Sequence, residues 1–442
     1  MQKVIIVGSG VGGSVVANEL QGDFQVTILE AGNKFKPFSV NLDLLEKFKK
    51  TGLFFDERLI QLLFKSMNIN KINNIFSDDI KNSPIDNEDM IIVHGSGTGG
   101  TSTISTGSCL RADDSLLKVG INLDKELKEL KEEINITTDH QQIWRESTRR
   151  IFSECQEMGL KPFITPKMGN HKTCVRCGHC VLGCPNDVKW DSRNLLYSAL
   201  DKGANLITNC KVERVISEND QVRGVEVKKK FRKKYLSADK VVLAAGGLGT
   251  PQILENSGIH CTGNLFVDPV LCLAAKMDDC KQNQEIAMPF IIEREGYIIS
   301  PYFDHLSFFF NKEWNYKSSN IMSLMIKLAD SGEGNIQNNK LTKKLNKKDS
   351  GRLKEAINIC LDIYTRLGIR KDDVFFGSLN AGHPGGMMPL SKEEAKTLHP
   401  KHLPNNLYVA DSSLLPSAAG KPLILTIMAL AKRISKKIKI NM

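Results

Sequence analysis

No stretch of this 442-residue chain is apolar for long enough to span a bilayer, which sets aside an integral membrane helix. The N-terminus lacks the basic-then-apolar pattern of a secretory leader and enters a strand-like segment at once. The expectation is a cytoplasmic protein whose eleven cysteines are thiols or metal ligands rather than disulfides. No internal repeat is apparent. The net charge of +10 is modest for the length, and no nucleic-acid recognition module accompanies it. What is present is ordinary for a soluble globular protein: 41% hydrophobic and 25% charged residues. The chain is too long for a ferredoxin and suits two or three domains, or one large interleaved one. Basic residues cluster at Lys228 to Lys234, Lys343 to Lys348 and Lys432 to Lys439. They read either as solvated faces or as a docking surface for an acidic electron carrier or an anionic membrane face.

Four of the cysteines fall within eleven positions: Cys174-Val-Arg-Cys177-Gly-His-Cys180-Val-Leu-Gly-Cys184-Pro185. This is the C-x2-C-x2-C-x3-C-P run that holds iron–sulfur clusters. Two-residue gaps let one turning loop present three thiolates to a cubane, and the proline ends the loop. Zinc usually takes cysteine pairs separated by a longer linker, so the run fits zinc poorly, and a disulfide framework worse. In two-cluster ferredoxins the last cysteine serves the other cluster. With one run here, the fourth ligand is either Cys184 or a distant cysteine such as Cys210. The remaining cysteines read as small buried apolar side chains.

The N-terminus carries a second redox signature. Val4 to Val7 reads as a buried parallel strand, followed by Gly8-Ser-Gly10-Val-Gly-Gly13, a helical pattern through Leu20, and a strand Gln25 to Leu29 ending in Glu30. Strand, glycine fingerprint, helix, strand and acid in this order predict a dinucleotide fold. Gly8 makes the tight turn, Gly10 admits the pyrophosphate, Gly13 lets helix and strand pack, and Glu30 accepts ribose hydroxyls. The fingerprint alone does not separate FAD from NAD. Leu42 to Phe55 and Leu59 to Met67 read as amphipathic helices, and the Asn/Asp/Ser-rich stretch after them as a loop. From Gly95 to Ser105 every residue but Ile104 is glycine, serine or threonine, which lets backbone press against a flat cofactor.

Further on, Leu123 to Ile134, Gln141 to Met158 and Ser192 to Leu200 read as helices. Asn205 to Ile207, Val212 to Ile216 and Val222 to Lys228 read as strands. Lys240 to Ala244 is a buried strand running into Gly246-Gly247 and a helix. From Asn264 the period switches to two. Leu271 to Met277, Ile286 to Ile292, Tyr297 to Tyr302, Leu306 to Phe310 and Ile321 to Lys327 read as antiparallel strands of an inserted second domain. Its aromatics, Tyr302, Phe303, Phe308, Phe309, Phe310, Trp314 and Tyr316, suit a core or the wall of an apolar substrate pocket. Lys340 to Asp349 reads as a loop, Arg352 to Leu367 and Leu425 to Lys437 as helices.

In this order the motifs resemble the glucose–methanol–choline (GMC) family of flavin oxidoreductases. The fingerprint is similar to the family's FAD finger, Gly95 to Ser102 to its second glycine loop, Ala244 to Pro251 to its third cofactor turn, and Asn406 to Pro416 with Leu425 to Arg433 to its closing segment. The resemblance implies an α/β fold, with a Rossmann-like, doubly wound FAD-binding domain and an inserted antiparallel-sheet (α+β) substrate domain. The expected division is 1–112, 171–263 and 374–442 for the FAD-binding domain and active-site segment, with 113–170 a helical insertion and 264–373 the substrate domain. Cofactor contacts are expected at Gly8, Gly10, Gly13, Glu30, Gly97, Gly99, Gly100, Ser102, Val212, Gly246 and Asp411. Family chemistry transfers a hydride from an alcohol to flavin N5 while a histidine takes the hydroxyl proton. The resemblance points to His383 in Gly-His-Pro-Gly-Gly as that base. The second active-site position falls at Lys421, a departure from the family's His or Asn. A lysine there would stabilise an alkoxide or lower the pKa of His383.

The expected function is an FAD- and [4Fe-4S]-dependent dehydrogenase rather than an oxidase. It would oxidise the CH–OH group of an apolar small molecule and pass electrons through the cluster, held by Cys174, Cys177, Cys180 and Cys184, to an external, ferredoxin-like or other one-electron carrier. Two alternatives stand beside it: a ferredoxin-driven reductase of a carbonyl or C=C bond, and a non-catalytic electron-transfer subunit.

Overall fold

A computed structural model describes residues 1–38, 46–47, 49, 67–73, 75, 89–229, 232–337 and 340–440. The apolar run at the N-terminus forms the strand Lys3–Val7, with Val4 to Val7 buried. It is the middle of a five-stranded parallel sheet in the order Leu407–Val409, Lys240–Leu243, Lys3–Val7, Gln25–Leu29, Asn205–Ile207. A strand buried on both faces needs apolar residues throughout, which these short runs supply. The helices Val11–Leu20 and Ile424–Ile440 pack on one another, so the two ends of the chain share one core. A three-stranded antiparallel meander, Lys211–Glu218, Gln221–Lys229 and Arg232–Ser237, turns at Asn219 and Asp220.

The second domain is built on a nine-stranded sheet. Its main path runs Met67–Ile72, Met90–Gly95, Asn380–Ala381, Pro269–Lys276, Ile321–Leu328, Tyr297–Pro301, Phe290–Arg294, Phe163–Ile164, and Val374–Phe376 pairs with Pro269–Lys276 off that path. It thus takes strands from outside 264–373. Successive side chains on a strand point to opposite faces, and Pro269–Lys276 shows it. Leu271, Leu273 and Ala275 meet Leu353, Ile357 and Cys360 of the helix Lys347–Arg366. Val270, Cys272 and Ala274 meet Phe303, Phe308 and Trp314 on the other face. Full burial of each such aliphatic or aromatic side chain contributes about 1.5–3 kcal/mol. Tyr364 fastens the helix to the sheet: its hydroxyl donates to Leu273 O at 2.7 Å and Met322 O at 3.2 Å. Tyr364→Phe is expected to cost about 1 kcal/mol, seen as a lower urea midpoint with an unchanged denaturant slope.

Several elements differ from expectation. Leu306 to Phe310 is not a strand but the end of the helix His305–Phe310. The Asp304 carboxylate caps it by accepting from Leu306 N (3.0 Å) and the Ser307 hydroxyl, and a good cap outweighs the strand preference of three phenylalanines. Residues 340–349 are not a loop. Lys340–Lys344 pairs with Glu333–Gln337, and a capping box between Asn346 and Asp349 starts the next helix five residues early. The polar stretch after residue 66 contains the edge strand Met67–Ile72. The expected strand from Ile286 begins only at Phe290, and the helix expected from Gln141 begins at Glu146. The helices expected over 42–55 and 59–67 lie almost wholly outside the described residues.

The basic cluster at Lys432 to Lys439 is largely paired within the chain, and Lys343 of the cluster at Lys343 to Lys348 is paired too. Lys432 pairs with Glu19, Glu129 and Glu133, Lys436 with Glu126 and Glu129, Arg433 with Glu126, and Lys439 with Asp23. Lys343 is buried against Asp330. Lys228, Arg232 and Lys234 on the meander are exposed.

Candidate functional site

The loops that follow the parallel strands gather at one sheet edge, where open α/β sheets bind ligands. The helix Val11–Leu20 starts there at Gly10 with no side-chain cap, so its first N–H groups stay available to an anion. A Cβ on Gly10 would stand 3.9 Å from Gly100 Cα, and one on Gly100 only 3.0 Å from Gly10 Cα. The fingerprint and the second glycine loop therefore face each other at backbone distance. An uncapped helix end opposed by a backbone-only wall fits a pyrophosphate, and residues Gly8–Gly10 and Gly97–Gly100 would hold it.

Glu30 reaches this edge but is already engaged. One carboxylate oxygen accepts from Ser9 N (3.0 Å) and the Ser9 hydroxyl (2.6 Å), the other from Gly32 N (2.8 Å) and Gly97 N (3.2 Å). Ribose hydroxyls would have to take the place of the Ser9 pair. Ser102 is buried and clips the second loop to Ser192, accepting from Ser192 N and donating to Gly99 O. Asp411 accepts from Gly246 N (2.9 Å), the Thr250 hydroxyl (2.5 Å) and Ser413 N (2.9 Å), so it caps the helix Gly246–Asn256. Burial pushes its carboxyl pKa up. Gly13 is buried in the first helix, and Val212 is a buried core residue opposite Val227 in the meander.

A cavity of about 200 Å³ lies between the second glycine loop and the wide sheet. Thr101, Ser105, Thr106 and Ser108 form one side, and Met288, Met325, Phe309 and Phe310 give it an apolar lining. Tyr302, Phe309 and Phe310 are wall residues, whereas Phe303, Phe308 and Trp314 are core and Tyr316 is exposed. His383 lines this cavity. Its Nδ1 stands 3.3 Å from the Asp268 carboxylate, whose other oxygen accepts from Gly420 N at 3.0 Å. Burial first, and then the Lys327 ammonium, lower the His383 pKa; Asp268 and the Lys421 backbone raise it.

Lys421 itself turns elsewhere. Its ammonium pairs with Glu293 at 2.5 Å and reaches Asp114 at 3.9 Å, and its neighbour Pro422 lines the cavity instead. The lysine in the cavity wall is Lys327, which donates to Asp268 O at 3.3 Å and whose own pKa is lowered by burial. Asp268 and Lys327 were missed in the sequence. The available signal was a single charged residue interrupting each apolar strand run, Val267-Asp268-Pro269 and Met325-Ile326-Lys327-Leu328. His305, also in the wall, is buried with neither ring nitrogen hydrogen-bonded.

Cys174, Cys177, Cys180 and Cys184 line one small cavity together with His171 and Lys189, while Cys210 belongs to the nucleotide-domain core. Burial pushes Cys174 up to about 11 and raises Cys177. Among the described residues no group of three or more His, Cys, Asp or Glu side chains converges as on a single metal ion. One tetrahedral ion with bonds of about 2.3 Å would draw its sulfurs to within about 3.8 Å of one another; a cubane leaves them farther apart. Val181 and Leu182, inside the cysteine run, also line the larger cavity.

Residues 1–270 match the family model described as GMC oxidoreductase. An uncharacterized protein of Methanocaldococcus jannaschii is 24% identical over 447 residues, covering 99% of this chain and 100% of that protein. The long-chain-alcohol oxidase FAO1 of Arabidopsis thaliana is 21% identical over 539 residues, 98% of this chain and 66% of its own length. Among solved structures, pyridoxine 4-oxidase from Mesorbium loti superposes with a TM-score of 0.72 at 16% identity, covering 100% of this chain and 99% of that one. Formate oxidase from Aspergillus oryzae gives 0.70 at 15%, with 100% and 98% covered. At these identities the structures establish the fold.

Proposed function

The chain belongs to the GMC oxidoreductase family, and on that premise we propose that it is an FAD- and [4Fe-4S]-dependent dehydrogenase of an apolar alcohol. The observation that carries the reading is His383 held by Asp268 in the wall of an apolar cavity that also touches the cysteine loop. FAD, when bound, supplies the acceptor for the hydride that leaves the carbinol carbon. The protein's part is the proton. With Nδ1–H donated to Asp268, His383 keeps Nε2 as the base nitrogen that takes the hydroxyl proton as the carbonyl forms. Its lowered pKa keeps the ring neutral, and so able to accept, at neutral pH. Lys327, one positive charge behind the pair, favours the alkoxide-like oxygen.

The four cysteines support a cluster as the exit for the two electrons, which leave one at a time to an external carrier. The reading of an exit beside the site of oxidation is supported by their shared cavity and by the contact of Val181 and Leu182 with the substrate cavity. Only carriers of one electron need such a relay, which favours a dehydrogenase over an oxidase.

An anaerobic screen of alcohols, following flavin bleaching with iron and sulfide counted on the same sample, tests both halves. Bleaching by primary or secondary apolar alcohols with about four irons per chain is expected. Iron-free protein after anaerobic reconstitution would remove the cluster from the reading. Reoxidation of dithionite-reduced protein by ketones or alkenes, without bleaching by alcohols, would reverse its direction.

The pair around His383 also sets a pH dependence with opposite signs in two variants. The rate of flavin bleaching should fall on the acid side as His383 gains a proton. Asp268→Asn removes a group that raises the His383 pKa, so the acid limb moves to lower pH. Lys327→Met removes one that lowers it, so the limb moves to higher pH. Stopped-flow rates between pH 4.5 and 8 measure this; shifts of the same sign in both variants would contradict the assignment.

A further inference from the structure

Lys167 and Lys189 are buried lysines with no carboxylate partner among the described residues. Lys167 has 0% and Lys189 4% of its surface exposed. Lys167 donates to Thr106 O (3.2 Å), the Ser108 hydroxyl (2.8 Å) and Ala287 O (2.6 Å). Lys189 donates to Ser102 O (3.2 Å), Thr103 O (2.8 Å) and Ser105 O (3.0 Å). All three protons of each ammonium are hydrogen-bonded, and every acceptor is neutral. Asp191, the carboxylate nearest in effect to Lys189, is bound at both oxygens by Arg193. Hydrogen bonds to carbonyls satisfy the protons but leave the charge, and a buried charge without a counter-charge costs several kcal/mol. Two such sites side by side call for a buried anion.

The groups that would supply it are the cysteines. Burial lowers both lysine pKa values, Lys167 to about 7; Cys180 and Cys174 oppose this at Lys167, and Asp191, then Cys180 and Cys184, at Lys189. Lys189 shares the cysteine cavity. A cubane carrying two positive charges on four thiolates has a net charge of minus two, and minus three after accepting one electron. We propose that Lys167 and Lys189 are the counter-charges of that centre and hold its reduction potential up. The carbonyls they bind belong mostly to residues 102–106, the small-residue loop that lines the substrate cavity. The two side chains, one before and one after the cysteine run in sequence, therefore tie the chain on both sides of that run to the loop that lines the substrate cavity. This rests on the cluster reading above.

A nearby positive charge favours the more negative, reduced state. The test uses full-length protein reconstituted anaerobically with iron and sulfide, in wild-type form and as Lys189→Met, Lys189→Gln, Lys189→Arg and Lys167→Met. A potentiometric titration followed by EPR gives the cluster potential; iron, sulfide and FAD are counted on each sample. The neutral variants are expected to show a reduced-to-oxidised ratio about tenfold lower at the wild-type midpoint, a shift of about 59 mV for one electron, with Lys189→Arg close to wild type. Lys189→Gln keeps amide donors for the loop carbonyls, so a shift shared with Lys189→Met reports charge and not a collapsed loop. Loss of the cluster from the three neutral variants but not from Lys189→Arg supports the same requirement. Loaded neutral variants with the wild-type potential overturn the proposal, as does a shift in Lys189→Arg equal to theirs, or loss of the cluster from all four. Wild-type protein that takes up no iron and sulfide would instead overturn the cluster reading beneath it.

Discussion

Replacing His383 with alanine is expected to slow the bleaching of flavin by an alcohol by about 10²–10⁴-fold, the range for loss of a general base. Three observations set the size. The imidazole lines the apolar cavity, its Nδ1 is held at 3.3 Å by a fully buried carboxylate, and burial keeps it neutral. Among the described residues no other side chain in that wall offers the same pairing, although His305 stands in the cavity with both nitrogens unsatisfied. FAD content should be unchanged, because the hydrogen bonds of His383 run to Asp268 and Val267 O rather than to the fingerprint or Asp411. His383→Gln, which keeps a donor but not a base, should be nearly as slow. Stopped-flow reduction of both variants under anaerobic conditions measures it. A rate within threefold of wild type would remove His383 from proton transfer and leave the chain as an electron-transfer subunit.

The second large effect separates the two redox reactions. Cys177→Ser is expected to abolish the iron and sulfide content, since a serine hydroxyl replaces one of four thiolate ligands in a loop with two-residue gaps. Transfer to a one-electron carrier should then fall to background. Alcohols should still bleach the flavin at close to the wild-type rate, because Cys177 is not in the wall of the substrate cavity. Absorbance of the cluster and of flavin on one sample, with reduction of an added ferredoxin followed separately, distinguishes the outcomes. Unchanged carrier reduction in an iron-free variant would show that electrons leave by another route. Cys210→Ser serves as the comparison: it sits in the nucleotide-domain core, so it should retain the iron.

Much of the nucleotide half was legible because each part is a local motif. Strand, glycine turn, helix and acid occupy thirty consecutive residues, and short-range geometry alone orders them. The sheet order was not legible, since Lys240–Leu243 and Leu407–Val409 reach Lys3–Val7 across hundreds of residues. In the second domain the two-residue period marked the strands Pro269–Lys276 and Ile321–Leu328 correctly, within two residues at each end. It failed at His305–Phe310, where a single capping aspartate decides. The site divides similarly. His383 follows from its motif. Its partners do not, because a lone aspartate or lysine in an apolar strand gives no sign of what it faces. The direction of Lys421 was unreadable for a further reason. Gly420 turns the chain at φ +62°, in a conformation open to glycine, and hands its N–H to Asp268; the next side chain then swings toward Glu293. Spacing left the fourth ligand open between Cys184 and a distant cysteine such as Cys210, and it gave no sign of the buried lysines near the run.

The outer strand Leu407–Val409 and the helix Ile424–Ile440 finish a sheet whose first strand was synthesised some four hundred residues earlier. A growing polypeptide consequently lacks the outer strand of that sheet and the helix that packs on Val11–Leu20 until those residues have been made. The sulfur-rich loop emerges before either of them, so it is made ahead of the elements that complete the nucleotide half.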